Sequence, residues 1–257
     1  MKSSKIFRTA TALCIMTLSI SISSLAQQKP ANFIGIEGGA SLPLGNWGKT
    51  SSASSLMSIN GTVNDVHGYA NTGGFGAIDG AWFFSRHFGI GGLFKYGIHS
   101  LKGIDSLSQG YEESFDVDTT RTSATHYKIW SILPGLYYNL SLSKKFAFTA
   151  RALAGISHAT TPKITVGIED GDVIDPPVIQ ESASKTAFAF DLGAGLSYTL
   201  LKYLSISLRA DYFYTKPDFM ISNTGRNNNA GREVTDYNQP LESVNFSLGA
   251  AYRFGRK

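Results

Sequence analysis

Bulky apolar and small polar residues alternate along much of this chain, most clearly between positions 188 and 200. The even positions are Phe188, Phe190, Leu192, Ala194, Leu196, Tyr198 and Leu200, and the odd positions are Ala189, Asp191, Gly193, Gly195, Ser197 and Thr199. Successive side chains of a β-strand point to opposite faces. A period of two therefore predicts a strand with one apolar and one polar face.

The same alternation predicts eight strands, at 33–43, 73–85, 87–99, 126–141, 145–158, 186–200, 202–215 and 242–254. Each is about 11 to 16 residues long, which suits a tilted membrane crossing. Short turns at 85–87, 142–145 and 201–202 alternate with long polar segments at 44–72, 100–125, 159–185 and 216–241. We therefore predict an all-β fold, an eight-stranded antiparallel up-and-down transmembrane β-barrel. Its short turns and both termini are expected in the periplasm, and its four long loops outside.

The two faces of the predicted strands differ in charge. The bulky face is uncharged except at strand ends, as expected if it meets lipid, where a charge at the bilayer midplane costs about 2–4 kcal/mol. The small face carries eight charged residues: Glu37, Asp79, Lys95, Arg151, Asp191, Arg209, Asp211 and Arg253. Charges in a narrow lumen have to be paired or hydrated, and barrels of this size are filled. We predict a mid-lumen ion-pair network that closes the barrel; a gated pore is the alternative.

Aromatic residues of the bulky face cluster at two depths. The predicted belt near the short turns contains Trp82, Phe84, Phe88, Tyr138, Phe146, Tyr198, Tyr252 and Phe254, and the belt near the long loops contains Trp130, Tyr212 and Tyr214. Two belts around a zone of Leu, Ile and Ala are typical of membrane interfaces. A soluble lipid-binding barrel is the structural alternative, but its interior would have to hold the bulky face.

Residues 1–26 have the features of a cleaved signal peptide: a basic start, an apolar stretch and small residues before the cleavage point. A membrane anchor is the alternative for this stretch. Cleavage leaves residues 27–257 as one barrel domain without cysteine, because Cys14 is the single cysteine. A disulfide framework or thiolate metal site is then excluded. Cations and acids nearly balance in this domain, which gives no indication of nucleic-acid binding.

The glycine-rich first strand, Gly35-Ile36-Glu37-Gly38-Gly39-Ala40-Ser41, and the last strand, from Phe246 to Phe254, complete a pattern over residues 33–254. The chain resembles the small eight-stranded outer-membrane β-barrel family, which includes OmpX, the barrel half of OmpA and PorT-like barrels. This resemblance implies an outer-membrane location and contact with outer-membrane lipid and lipopolysaccharide. It also implies insertion by the barrel assembly machinery, which reads an aromatic residue ending the last strand. Phe254 fits that role, although three residues follow it.

The long loops carry little that indicates specific chemistry. Acidic patches at 105–118 and 169–175 have oxygen ligands suited to Ca²⁺ or Mg²⁺. Their spacing does not match an EF-hand, so we favour plain solvated loops and predict no metal and no cofactor. His99, His126 and His158 show no ordered set with serine and acid, as hydrolysis would need. We therefore predict a non-enzymatic barrel whose loops serve a structural, adhesive, binding or assembly role, with an unidentified surface ligand or protein complex as partner. A small channel and a lipid-modifying enzyme are the alternatives.

Overall fold

A computed structural model of the protein describes residues 30–50, 67–115, 118–170, 173–224 and 233–255. The predicted signal peptide, residues 1–26, lies outside this part. Thirteen strands are present in the described residues: β1 Asn32–Pro43, β2 Gly73–Phe83, β3 Phe88–His99, β4 Thr119–Ala124, β5 Tyr127–Ser141, β6 Phe146–Thr160, β7 Ile164–Asp170, β8 Val173–Gln180, β9 Ser184–Leu201, β10 Leu204–Thr215, β11 Asp218–Thr224, β12 Glu233–Asn238 and β13 Leu241–Phe254. The helix α1 spans Ile104–Phe115.

Eight of these strands close into an antiparallel barrel in the order β1-β13-β10-β9-β6-β5-β3-β2. They are the eight predicted strands, so the predicted fold is confirmed. The first strand pairs along its whole length with the last, from Asn32 opposite Phe254 to Pro43 opposite Ser243. This pairing removes the free sheet edges, which leaves the barrel wall without unpaired backbone along that seam.

Short connections define one end of the barrel, which we call the turn end. It comprises the turns 84–87, 142–145 and 202–203, together with the start of β1 and the end of β13. Serine side chains stabilise two of these turns: the Ser85 hydroxyl accepts from the Phe88 N–H at 2.9 Å, and the Ser143 hydroxyl accepts from the Phe146 N–H at 3.0 Å. Such local bonds replace missing ladder bonds in tight turns. The opposite end, which carries the long segments, is the loop end.

The burial pattern agrees with the predicted faces. Outward side chains remain exposed although they are apolar; Ile36, Leu208 and Leu248 expose 65%, 63% and 66% of their surfaces. Their neighbours at odd positions, such as Glu37 and Arg209, are buried in the lumen. An exposed apolar belt this extensive marks a surface that meets something other than water.

The loop end differs from the sequence-based expectation of irregular loops. Strands β12, β11, β8, β7 and β4 form a second, five-stranded antiparallel sheet in that order. Each of them is separated from a barrel strand by a break of only two or three residues. The side chains of Ile164, Val166 and Ile168 are fully buried on one face, so the sheet has its own apolar support. Among the described residues, no helix has the length and hydropathy that a membrane span requires.

Candidate functional site in the barrel lumen

Arg151 on β6 is the centre of a buried charge cluster in the lumen. Its Nη2 lies 2.9 Å from Oε1 of Glu37, and its Nε lies 3.2 Å from Oδ1 of Asp191 and 2.9 Å from Oδ1 of Asp211. A longer contact of 3.6 Å joins its Nη1 to Oδ2 of Asp79. One guanidinium therefore bridges carboxylates from β1, β2, β9 and β10, which are spread around the barrel wall.

Arg209 and Lys95 extend the cluster to either side. Nη1 of Arg209 donates to Oε2 of Glu37 at 2.7 Å and to Oδ2 of Asp79 at 3.0 Å. Nζ of Lys95 donates to Oδ2 of Asp191 at 3.1 Å. These are charge-assisted bonds, which are shorter and stronger than neutral ones. The ion pairs thus link seven of the eight predicted lumen residues in one continuous network.

The network contains four carboxylates and three cations. Asp211 is 2% exposed, and within the described residues neither of its oxygens accepts a hydrogen bond of good geometry, despite its close contact with Arg151. Space for this side chain comes from Gly193, since a Cβ at that position would overlap Asp211 Oδ1. Because carboxylates are in excess, removing one of the three cations leaves further buried charge uncompensated, at a cost of about 3–5 kcal/mol.

Arg253, the eighth predicted residue, lies away from this network at the turn end. Its guanidinium donates to the Thr199 hydroxyl of β9, and its side chain lines the cavity that opens there. The expectation that Arg253 belongs to the lumen ion-pair network differs from this position, because the last strand places its side chain at the turn end, away from Arg151.

An aromatic plug fills the loop end of the lumen. Directly after β1, the short 3-10 turn Gly45–Gly48 folds inward and buries Trp47 completely. The Trp47 ring packs on His99 at 4.5 Å and edge-on against Tyr127 at 5.8 Å between ring centroids. The Tyr127 hydroxyl donates to the Gly68 carbonyl at 3.0 Å. Segments from the first loop, β3 and β5 therefore seal this end together.

Apolar side chains pack beside the charge cluster, where Leu93 pairs with Asp79, and Leu153 and Phe213 pair with Asp191. Phe75 and Phe213 point inward from β2 and β10, and the ammonium of Lys95 lies 3.9 Å from the centroid of the Phe213 ring. Leu93 on β3, Leu133 on β5 and Leu153 on β6 each expose at most 2% of their surface. The loop-end half of the lumen is thus a packed core, and close packing leaves little room for water.

The turn-end half of the lumen is hollow by contrast. A cavity of about 640 Å³ begins at the turns and reaches Glu37, Asp79 and Arg209. Hydroxyl groups line its walls, and the residues that supply them are Ser141, Ser143, Thr149, Ser197, Thr199, Ser205 and Ser207. Lys144 and Lys145 also contribute to its lining.

The aromatic side chains predicted to form belts lie on the outer face in neighbouring groups. Near the turns, Phe88 packs against Tyr138 at 5.3 Å, Phe146 against Tyr198 at 4.8 Å, and Tyr252 near Phe254 at 6.3 Å between centroids. Trp82 lies 6.5 Å from Phe84. Near the loop end, Phe190 stacks on Tyr214 at 5.4 Å and contacts Tyr212, and Trp130 stacks on His158.

The histidines considered for catalysis are separated by the barrel wall. His99 is buried inside the lumen under Trp47, with its Nδ1 3.0 Å from the Asn71 carbonyl. His158 lies on the outer face, where its Nδ1 is 2.9 Å from the Thr186 hydroxyl. Of the acidic patches, Asp116 and the Gly171-Asp172 pair lie outside the described residues.

Sequence reasoning missed the plug and the apolar side chains beside the charge cluster. One available signal was the inward register of Phe75, Tyr127 and Phe213, because large aromatics on the small face indicate a filled lumen. Trp47 gave no such signal, since it belongs to a loop. Tyr203, which is 54% exposed beside Tyr252, was also missed in the turn-end belt because it lies in a turn.

Solved structures of several small outer-membrane proteins have related folds. The attachment invasion locus protein Ail of Yersinia pestis shares 15% identity over 88% of this chain and 99% of its own, with a TM-score of 0.43. Neisserial surface protein A shares 11% identity over 87% of this chain and 97% of its own, with a TM-score of 0.44. A major outer membrane protein of Thermus thermophilus shares 16% identity over 87% of this chain and 100% of its own, with a TM-score of 0.47. No curated protein matches the sequence. The outer membrane protein beta-barrel domain family matches residues 10–254, and the chain belongs to this family.

Proposed function

We propose that this protein is a non-enzymatic outer-membrane barrel with a closed lumen, which acts at the cell surface through its loop end. In this proposal the loop-end sheet serves a structural, adhesive or binding role, alone or within a protein complex. The turn end and both termini face the periplasm, and the outer aromatic groups lie at the two membrane interfaces. The barrel assembly machinery inserts the chain by way of the last strand, β13.

The packed loop-end half of the lumen is the observation that carries this proposal. Trp47 and Tyr127 expose no side-chain surface at the loop end, and Leu133 is fully buried beside the charge cluster. A lumen filled in this way gives solutes no route through the membrane, which supports a role at the loop end of the barrel. The orientation rests on the general asymmetry of such barrels, whose short turns face the periplasm.

Surface labelling tests the orientation, and the absence of cysteine from residues 27–257 makes the labelling specific. Arg121 on β4 has 81% of its side chain exposed at the loop end, and Lys144 lies in a turn at the other end. We expect a membrane-impermeant maleimide to label Arg121→Cys in intact cells and Lys144→Cys only after the outer membrane is permeabilised. The reverse result would overturn the orientation.

A small channel is the second candidate, because the hollow turn-end half already opens part of the lumen. Single-channel recording of the purified protein in planar bilayers distinguishes a closed barrel from a small channel. We expect no steady current from the closed barrel. A persistent open level that survives in every reconstituted preparation would favour the channel instead.

The non-enzymatic assignment has its own test. His99, His126 and His158 are the histidines considered for lipid hydrolysis or acyl transfer. We expect alanine at all three positions to leave the lipid A pattern of the cells unchanged. A pattern altered only in cells with the variant would support an enzyme.

A further inference from the structure

The two ends of the barrel carry opposite charge. Within the described residues, the turn end has five cations and no carboxylate: Arg86, Lys144, Lys145, Lys202 and Arg253. The described carboxylates outside the lumen all lie at the loop end. A surface of one sign around an opening concentrates ligands of the opposite sign. The turn end therefore favours anionic partners.

Three of these five cations line the mouth of the turn-end cavity, namely Lys144, Lys145 and Arg253. Backbone hydrogen bonds hold two of them, Lys145 and Arg253, in place. The Lys145 carbonyl accepts from the Thr199 N–H at 2.8 Å, and the Arg253 N–H donates to the Tyr203 carbonyl at 2.8 Å. A mouth fixed by barrel hydrogen bonds loses little conformational freedom when a ligand binds, which favours affinity.

The floor of the cavity, by contrast, favours groups that donate hydrogen bonds or carry positive charge. Glu37 and Asp79 reach it together with Arg209, and they belong to the network in which carboxylates outnumber cations. A ligand that fits both ends presents carboxylates at the mouth and N–H donors at the floor. The hydroxyls of Ser205 and Ser207 can bond a peptide backbone along the way, and Phe33 and Phe83 add apolar contact.

We propose that this cavity is a binding site for a short acidic peptide, which enters with its amino end first. A volume of about 640 Å³ lies within the range of pockets that bury a ligand of a few residues. The site is separate from the surface role proposed above, because it opens at the other end of the barrel. In the proposed orientation its ligand is a chain end of a periplasmic protein.

Peptide binding to the full chain in detergent tests the site directly. The probe is Gly-Ser-Ala-Asp-Glu-Asp-Glu with a fluorophore at its carboxyl end, followed by fluorescence polarisation at low ionic strength. We expect the acidic probe to bind and the matched probe with Asn and Gln in place of Asp and Glu to bind much more weakly. No binding of the acidic probe, or equal binding of the two, would overturn the proposal.

Paired variants distinguish the cavity from a diffuse cationic surface. Replacing both mouth lysines, Lys144→Gln with Lys145→Gln, should weaken binding at least about fivefold, as expected for two partly exposed ion pairs. The control pair Arg86→Gln with Lys202→Gln removes the same charge at the same end, but outside the cavity. It should change affinity by less than about twofold. Equal losses in the two pairs would contradict a cavity site.

Filling the cavity without altering its charge gives an independent check. Ser205→Phe places a ring in the wall, and we expect it to abolish probe binding. Retained binding by the folded variant would overturn the proposal. If this variant does not fold, the lysine pairs decide alone. Binding in detergent depends neither on membrane orientation nor on the loop-end role, so its failure is distinguishable from failure of the proposed function.

Discussion

The two halves of the lumen differ in how their interior space is filled. The loop-end half is packed with Trp47, Tyr127 and Phe213 and excludes water, whereas the turn-end half is a hydroxyl-lined cavity. The charge cluster around Arg151 lies at the boundary between them. Burial on one side strengthens its ion pairs and raises the cost of breaking them. In the closed barrel proposed above, the aromatic plug therefore contributes to closure together with the ion pairs.

Removing the hub of the cluster should have the largest effect. Arg151→Ala leaves four carboxylates facing only Lys95 and Arg209, so we expect a loss of about 3–5 kcal/mol in the free energy of unfolding. The midpoint of urea unfolding in detergent measures the change. Arg121→Ala is the control, because its ion pair with Glu169 is exposed, and no measurable change is expected there. Equal midpoints for the two variants would argue against a cooperative network.

Removing the plug should lower the free energy of unfolding less than Arg151→Ala does. It should have a larger effect on whether the lumen stays closed to ions. Trp47→Ala deletes a fully buried ring, and large-to-small changes of this kind cost up to about 3–5 kcal/mol when the site cannot collapse. We expect less than this limit, because a loop can detach locally while the barrel persists. Brief current steps in planar bilayers should appear for Trp47→Ala and not for Trp82→Ala, whose ring lies on the outer face. If neither variant gives current steps, the remaining buried apolar side chains are sufficient to close the lumen without Trp47.

Neutralising the excess carboxylate should have the smallest effect. Asp211→Asn equalises the carboxylates and cations, so we expect a change within about 1 kcal/mol, whereas Glu37→Gln disrupts bonds to both Arg151 and Arg209 and should cost more. Thermal unfolding of the two variants under one condition gives the comparison. A larger loss for Asp211→Asn than for Glu37→Gln would contradict the charge balance described here.

The barrel was predictable because apolar and polar residues alternate clearly along each strand, and this pattern can be recognised in a short stretch of sequence. Glu37, Asp79 and Asp191 could be assigned to the lumen from register alone, since one face of each strand is apolar. The plug was not predictable in this way. It depends on a loop that turns at Gly45, with φ of +53°, and on Gly68, where a side chain would overlap the Trp47 ring. Such close approaches are tertiary and leave no periodic signal.

The loop-end sheet was missed for a related reason. Pro176 and Pro177 within β8, and the acidic residues Glu169, Asp170 and Asp175 of β7 and β8, are typical of loops. Pairing of β7 with β4 and β8 outweighs these local preferences, because the buried face of Ile164, Val166 and Ile168 gains more from packing. The cavity at the turn end also escaped sequence reasoning, since small residues can line either a void or a tight contact.

Cysteine reactivity on the two sides of the charge cluster tests the central comparison most directly. Ser207 lines the turn-end cavity, whereas Ser157 is 1% exposed on the loop-end side and bonds to the Ser131 hydroxyl at 3.0 Å. In the folded protein we predict that a small charged maleimide modifies Ser207→Cys rapidly and leaves Ser157→Cys unmodified until the barrel is denatured. Rapid modification at both positions would mean that water passes through the whole lumen, and the account of a closed barrel would be wrong.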